Sequence, residues 1–249
     1  YNRAISSKRQ VGSTMKPFLY YAALENGFTS ASTFLSEETT FNFENSPKYS
    51  PSNYNNTYAH KEISMAAAIA YSDNIYAVKT HLFLGEDTLI KTANTCGIKA
   101  NLKENPSLAL GTSELNMLDF ATGYTTLASN GYKKDLYFIE KVEDLNGNVL
   151  YEHKNKEKLV LNQNNLYILN ELLTNTTNAS FKDYTVPTGL SIANKLNHKY
   201  ALKTGTTKTD YWTVGYNKKA LMLVWMGYDD ARETNSNISG EAKNIWAST

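Results

Sequence analysis

The run Arg9-Gln10-Val11-Gly12-Ser13-Thr14-Met15-Lys16-Pro17-Phe18 opens the first apolar-periodic segment of the chain. Met15, Phe18, Leu19, Ala22 and Ala23 recur at three- and four-residue spacing and Gly27 is a natural stop, which predicts a helix over residues 13–27. Residues three apart on a helix share a face, so the Ser13 hydroxyl and the Lys16 amine can meet. A serine is a weak nucleophile until a neighbour takes its proton. A lysine takes it only where burial and nearby positive charge depress its pKa. A helix N-terminus also favours a developing alkoxide. Alone, the pair is a weak signal that arises often by chance, and its ordinary reading is a helical serine with a solvated lysine.

Working outward, residues 29–60 are polar and carry Pro47, Pro51 and a run of Asn, which reads as a long irregular loop with a function. Ile63–Tyr71 and Ile75–Leu84 read as helices broken by Ser72-Asp73-Asn74. There Ser72 offers a hydroxyl that can relay a proton, and Asn74 offers a donor and an acceptor. By themselves these residues also suit a turn or a cap. Thr88–Cys96, Asn116–Ser129, Asn164–Asn175 and Glu241–Ala247 are further predicted helices. Leu136–Asp144 and Asn148–Glu152 flank Asn146-Gly147, a hairpin signal. Lys199–Thr204, Tyr211–Tyr216 and Ala220–Tyr228 are three strand-like runs joined by short turns, an antiparallel meander. The first leads into Lys203-Thr204-Gly205-Thr206-Thr207, where a lysine beside hydroxyls, with a glycine that lets a ligand approach the backbone, suits a carboxylate.

Composition narrows the class. A chain of 249 residues suits one large or two-lobed domain. Lys plus Arg (25) nearly balances Asp plus Glu (24), which gives no support for a nucleic-acid footprint. A single cysteine, Cys96, rules out an intrachain disulfide and a Cys-rich zinc site. His60, His81, His153 and His198 are isolated, so no metal is expected, and no G-x-G-x-x-G or P-loop implies a nucleotide cofactor. No apolar run approaches the roughly 20 residues of a membrane helix. The chain opens without an initiator Met and reads as a piece of a longer protein.

Taken together and in this order, S-x-x-K, S-D-N and K-T-G resemble the motif set shared by penicillin-binding proteins and class A β-lactamases. The context around Ser13, the P-x-N-Y-like Pro51-Ser52-Asn53-Tyr54, and Leu110-Gly111-Thr112-Ser113-Glu114 through Asn130-Gly131 are similar to class A (bifunctional) penicillin-binding proteins. So are Asp210-Tyr211-Trp212 and Val224-Trp225-Met226-Gly227-Tyr228-Asp229. The resemblance implies an α+β, β-lactamase/transpeptidase-like fold: an antiparallel sheet flanked by helices, a helical lobe, and the active site between the lobes. It implies a peptidoglycan D,D-transpeptidase that β-lactams acylate. Ser13 would be the nucleophile, Lys16 its base, Ser72 the proton relay, and Asn74 the holder of the substrate amide and of Lys16. Lys203, Thr204, Gly205 and Thr206 would take the substrate carboxylate, and the Ser13 and Thr206 N–H groups would form the oxyanion hole. The implied partners are donor and acceptor stem peptides, β-lactams and other cell-wall synthesis proteins, on the extracytoplasmic face of a bacterial membrane. A glycosyltransferase domain and a membrane anchor are expected in the parent. So is an upstream segment of sheet, because residues 1–12 are short and polar and cannot supply the outer neighbour of Ala220–Tyr228. No E-x-x-L-N segment is present, and Glu86-Asp87-Thr88-Leu89-Ile90 lacks the Asn, which weighs against a β-lactamase. A D,D-carboxypeptidase and a β-lactam sensor remain the alternatives.

Overall fold

The computed structural model describes residues 1–44, 47–234 and 238–249. In chain order the elements are α1 (Arg3–Ser6), β1 (Lys8–Gln10), α2 (Lys16–Glu25), β2 (Thr33–Ser36), β3 (Lys61–Ser64), α3 (Met65–Tyr71), α4 (Asn74–Leu84) and α5 (Glu86–Cys96). There follow β4 (Glu114–Asn116), α6 (Met117–Ala128), β5 (Tyr132–Lys134), β6 (Lys141–Glu143), β7 (Val149–Glu152) and β8 (Glu157–Leu159). The chain then forms α7 (Gln163–Thr174), β9 (Ala201–Thr206), β10 (Asp210–Tyr216), β11 (Leu221–Gly227) and α8 (Ser239–Ser248).

The meander forms as the sequence predicts. Its strand order is β11-β10-β9, antiparallel throughout, with Trp212 opposite Trp225 on one side and Gly205 on the other. Alternation along β10 decides the packing. Trp212, Val214 and Tyr216 face the main core, whereas Tyr211 faces a second cluster built on Ala242 and Trp246 of α8. Gly215 makes room for α8, since a Cβ there would lie 2.3 Å from the Trp246 ring. Among the described residues β10 is the one strand neighbour of β11.

α2 is the central helix, with every residue from Lys16 to Leu24 buried. A helix apolar all round belongs inside a core, and Lys16 enters that environment at its first position.

Several elements depart from the sequence reading. The helix expected from Ser13 starts at Lys16, after a 3-10 turn over Gly12–Met15. Ile63 and Ser64 belong to β3 rather than to the helix, which Ser64 caps through Ala67 N at 3.3 Å. The long loop contains β2, which pairs with β3. Of Leu136–Asp144, only Lys141–Glu143 forms a ladder with β7. The sequence reading missed the pairing of β1 with β4, in which Arg9 lies opposite Leu115.

That missed pairing fixes the segment before Ser13. Arg9 lies 5.0 Å from the Trp225 ring and donates to Asp229 O at 2.8 Å. Arg3 forms two hydrogen bonds with the Asp229 carboxylate, at 2.7 and 2.6 Å, and Trp212 Nε1 donates to Gln10 O at 2.9 Å. The strand-to-helix turn at Gly12–Ser13 is thereby tied to the sheet.

Candidate active site

Glycines bring the turn at Ser13 against its neighbours. Gly12 has φ +56° and donates from its N–H to Gly111 O at 3.1 Å. Gly111 has φ +69°, and a Cβ there would sit 2.0 Å from Gly12 O. A Cβ on Gly205 would sit 2.6 Å from Val11 O, so β9 abuts the same turn through bare backbone. Thr207 N donates to Asp210 O at 2.9 Å, which makes Thr206 and Tyr211 a non-hydrogen-bonded pair in the ladder. The Thr206 N–H therefore points off the open edge of β9. It lies 3.2 Å from where a Gly12 Cβ would be. Ser13 N–H belongs to the first turn of a helical segment, where no intrahelical partner exists. Two backbone donors without a strand or helix partner thus lie at the Gly12–Ser13 turn.

Lys16 and Lys203 are 0% and 1% exposed. Lys16 Nζ lies 2.8 Å from Ser72 O, 3.2 Å from Asp73 O, 2.7 Å from Asn74 Oδ1 and 3.3 Å from Ser72 Oγ. The first three of these only accept, so they face the three donors of an ammonium. Burial opposes that charge and pushes the Lys16 pKa down to about 7, with Asp73 pulling the other way. Lys203 Nζ donates to Ser72 Oγ at 2.8 Å and to Thr204 O at 2.7 Å. Burial and then the neighbouring Lys16 hold its pKa well below the ordinary lysine range. The Ser72 hydroxyl consequently bridges two buried amines.

Ser72 occupies that position in a left-handed backbone conformation (φ +59°, ψ 40°) at the C-terminus of α3, where its N–H still caps Ala68 and Ile69 carbonyls. Asn74 Nδ2 donates to Ser52 O at 2.7 Å, which fixes the amide and turns Oδ1 toward Lys16. Asp73 is 3% exposed. Its Oδ1 accepts from Tyr76 N at 2.8 Å, capping α4, and its Oδ2 accepts from Ser36 Oγ at 2.6 Å and Asn53 Nδ2 at 2.7 Å. Asn53 Oδ1 accepts from Asn74 N at 2.7 Å. Asn53, Ser36 and Asp73 therefore hold the Ser72–Asn74 turn in place. The sequence reading gave Ser36 no role; it placed Asn53 only in the P-x-N-Y-like run and Asp73 in a stretch that suits a turn or a cap, as Asp73 does here.

A cleft of about 800 Å³ opens above these groups. Ser13, Ser72, Asn74, Thr204, Gly205 and Thr206 line it, together with Tyr184, Thr188, Ser191 and Lys243. All eight residues singled out from the sequence meet at this one place. Lys16 and Lys203 lie beneath the lining. Among the described residues no three His, Cys, Asp or Glu side chains converge as a metal site. Cys96 is fully buried away from the cleft, and burial pushes its thiol up to about 12. Among the described residues no helix is long and apolar enough to cross a membrane.

A sheet with helices on both faces, a helical lobe, and a cleft lined by Ser13 with two buried lysines beneath it define a domain of the penicillin-binding class. The family model of the penicillin-binding protein transpeptidase domain matches residues 1–240, and the chain belongs to that family, in its class A branch. It is 45% identical over 249 residues to penicillin-binding protein 2D of Bacillus subtilis, covering 99% of this chain and 36% of that protein. It is 30% identical to penicillin-binding protein 1B of Haemophilus influenzae, covering 99% and 31%. The chain thus spans about a third of the length of these relatives. Penicillin-binding protein 1A of Haemophilus influenzae superposes with a TM-score of 0.91 at 23% identity, over 99% of this chain and 42% of that one. PonA1 of Mycobacterium tuberculosis, solved in complex with penicillin V, superposes at 0.80 with 21% identity, over 99% and 69%. The α+β transpeptidase fold implied by the motifs is the fold observed.

Proposed function

We propose that this domain cross-links peptidoglycan stem peptides through an acyl-enzyme on Ser13, and that β-lactams acylate the same serine. The observation that carries the reading is the chain Lys16–Ser72–Lys203 beneath a cleft-lining Ser13. Neutral Lys16 takes the Ser13 proton as Oγ attacks the carbonyl of the penultimate D-Ala. The oxyanion develops toward the Ser13 and Thr206 N–H groups, where losing one such donor costs about 3 kcal/mol. Ser72 passes a proton to the leaving D-Ala amine, and Lys203 steadies its hydroxyl. Asn74 holds Lys16 and offers its amide to the substrate. An acceptor amine then attacks the ester carbonyl, its proton returns through Ser72 and Lys16, and Ser13 is regenerated as the cross-link forms.

The parent protein would work at the extracytoplasmic face of the membrane, beside other cell-wall synthesis proteins. The test is the lifetime of the acyl-enzyme formed with a labelled penicillin, and the partition of a stem-peptide acyl-enzyme between water and an added D-amino acid. A lifetime of minutes or longer, with amide product rising with acceptor, supports transpeptidation. Turnover within a second indicates a hydrolase, and stable acylation with no transfer to any amine indicates a sensor.

A further inference from the structure

Among the described residues the cleft contains one cation that the reaction scheme leaves unused. Lys243 lies on α8, and its half-buried side chain lines the cleft. Ala242 and Trp246, four apart, bury against the sheet. The next position along the helix turns Lys243 off that face, so that its Nζ donates to Thr188 O at 3.2 Å. Among the described residues no carboxylate lies within ion-pair distance of it. An ammonium has three donors, and one carbonyl uses one of them. Thr188, also on the cleft wall, has a buried hydroxyl with no hydrogen-bond partner. The half-buried ammonium keeps donors open toward the cleft, whereas the Thr188 hydroxyl is closed to solvent.

Alternation along β9 says which ligand group would meet that ammonium. Leu202 packs in the α8 cluster, so Leu202, Thr204 and Thr206 share the α8 face. Lys203 points to the opposite face, into its bonds with Ser72 and Thr204. A carboxylate held by the Thr204 and Thr206 hydroxyls would therefore lie on the Lys243 side of the strand.

We propose that Lys243 is the specificity-determining cation of the cleft, making the direct charged contact with the carboxylate of the acyl donor or of a β-lactam. The inference rests on the acyl-donor reading above. Burial, which lowers the pKa of Lys243, makes an anionic partner correspondingly favourable.

The experiment uses the intact protein that carries this domain, with Lys243→Gln, Lys243→Arg and Lys243→Met. The methionine keeps the aliphatic stem packed should the glutamine variant fold poorly. Acylation by benzylpenicillin is compared with phosphonylation of Ser13 by a neutral fluorophosphonate that lacks a carboxylate. A charge-assisted hydrogen bond corresponds to about ten- to hundredfold in rate. Gln and Met should slow penicillin by about tenfold or more, leave phosphonylation within about twofold, and be largely rescued by Arg. With a stem peptide ending in D-Ala-D-Ala, the loss should appear in KM rather than kcat. Equal slowing of both probes would assign Lys243 a packing role and overturn the proposal, as would no slowing of either. Wild-type protein that penicillin does not acylate at Ser13 would instead sink the acyl-donor reading itself. Normal acylation with indifferent Lys243 variants sinks this inference alone.

Discussion

If Lys16 is the base, its titration should set the pH dependence of acylation. Its pKa is pushed down to about 7 by burial, and only the neutral amine can take a proton from Ser13. The acylation rate should then fall about tenfold per pH unit below pH 7 and level off above it. Asn74 Oδ1, 2.7 Å from Nζ, supports the charged form. A hydrogen bond to a charged group is worth about 1.5–3 kcal/mol. Since a pKa unit is about 1.4 kcal/mol, Asn74→Ala should move the midpoint down by about one to two units. Asn74→Asp, which places a carboxylate beside the ammonium, should move it up. The assay is stopped-flow acylation by a fluorescent penicillin between about pH 5 and 9, with the thermal midpoint followed in parallel. A flat profile through pH 7, or a midpoint unmoved by both Asn74 variants, would refute Lys16 as the base. The same shift acts on stability. The unfolded chain binds more protons than the folded one between the folded pKa near 7 and the ordinary lysine value, so this group makes stability rise with pH across that window.

Three further outcomes follow from the geometry. Ser72→Gly should be more stable than Ser72→Ala by about 1 kcal/mol in denaturant unfolding, because the left-handed backbone at Ser72 strains any Cβ, and both variants should lose acylation. Gly111→Ala should lose both penicillin labelling and thermal stability, since its Cβ would fall within the Gly12 carbonyl; an unchanged midpoint would mean the turn is looser than described. Lys203→Ala should slow acylation by about ten- to a hundredfold with the fold intact by circular dichroism, and an unchanged rate would remove Lys203 from the machinery.

The meander was legible because β10 and β11 are long, apolar and bounded by short polar turns. Their period of two survives on two buried faces because α8 covers one and the main core the other. The site was legible only as an ordered set of short motifs, each of which alone suits a turn or a helix start. β1 was not legible: Lys8-Arg9-Gln10 has no alternation, and it becomes a strand only because Glu114–Asn116, more than a hundred residues away, pairs with it. The same holds for Thr33–Ser36, whose partner lies beyond the whole polar loop. Sequence assigned Lys203 to the ligand carboxylate; that its buried amine also donates to Ser72 is a tertiary fact no local pattern carries. Lys243 carried no local signal, because nothing in its own helix says that the cleft reaches it.

The most direct test of the serine acyl-enzyme is intact-protein and peptide mass spectrometry after brief exposure to benzylpenicillin. A single adduct of the full penicillin mass is expected, located on Ser13 and absent from Ser13→Ala at an unchanged thermal midpoint. An adduct on another serine, or full labelling of Ser13→Ala, would contradict the assignment of Ser13 as the nucleophile.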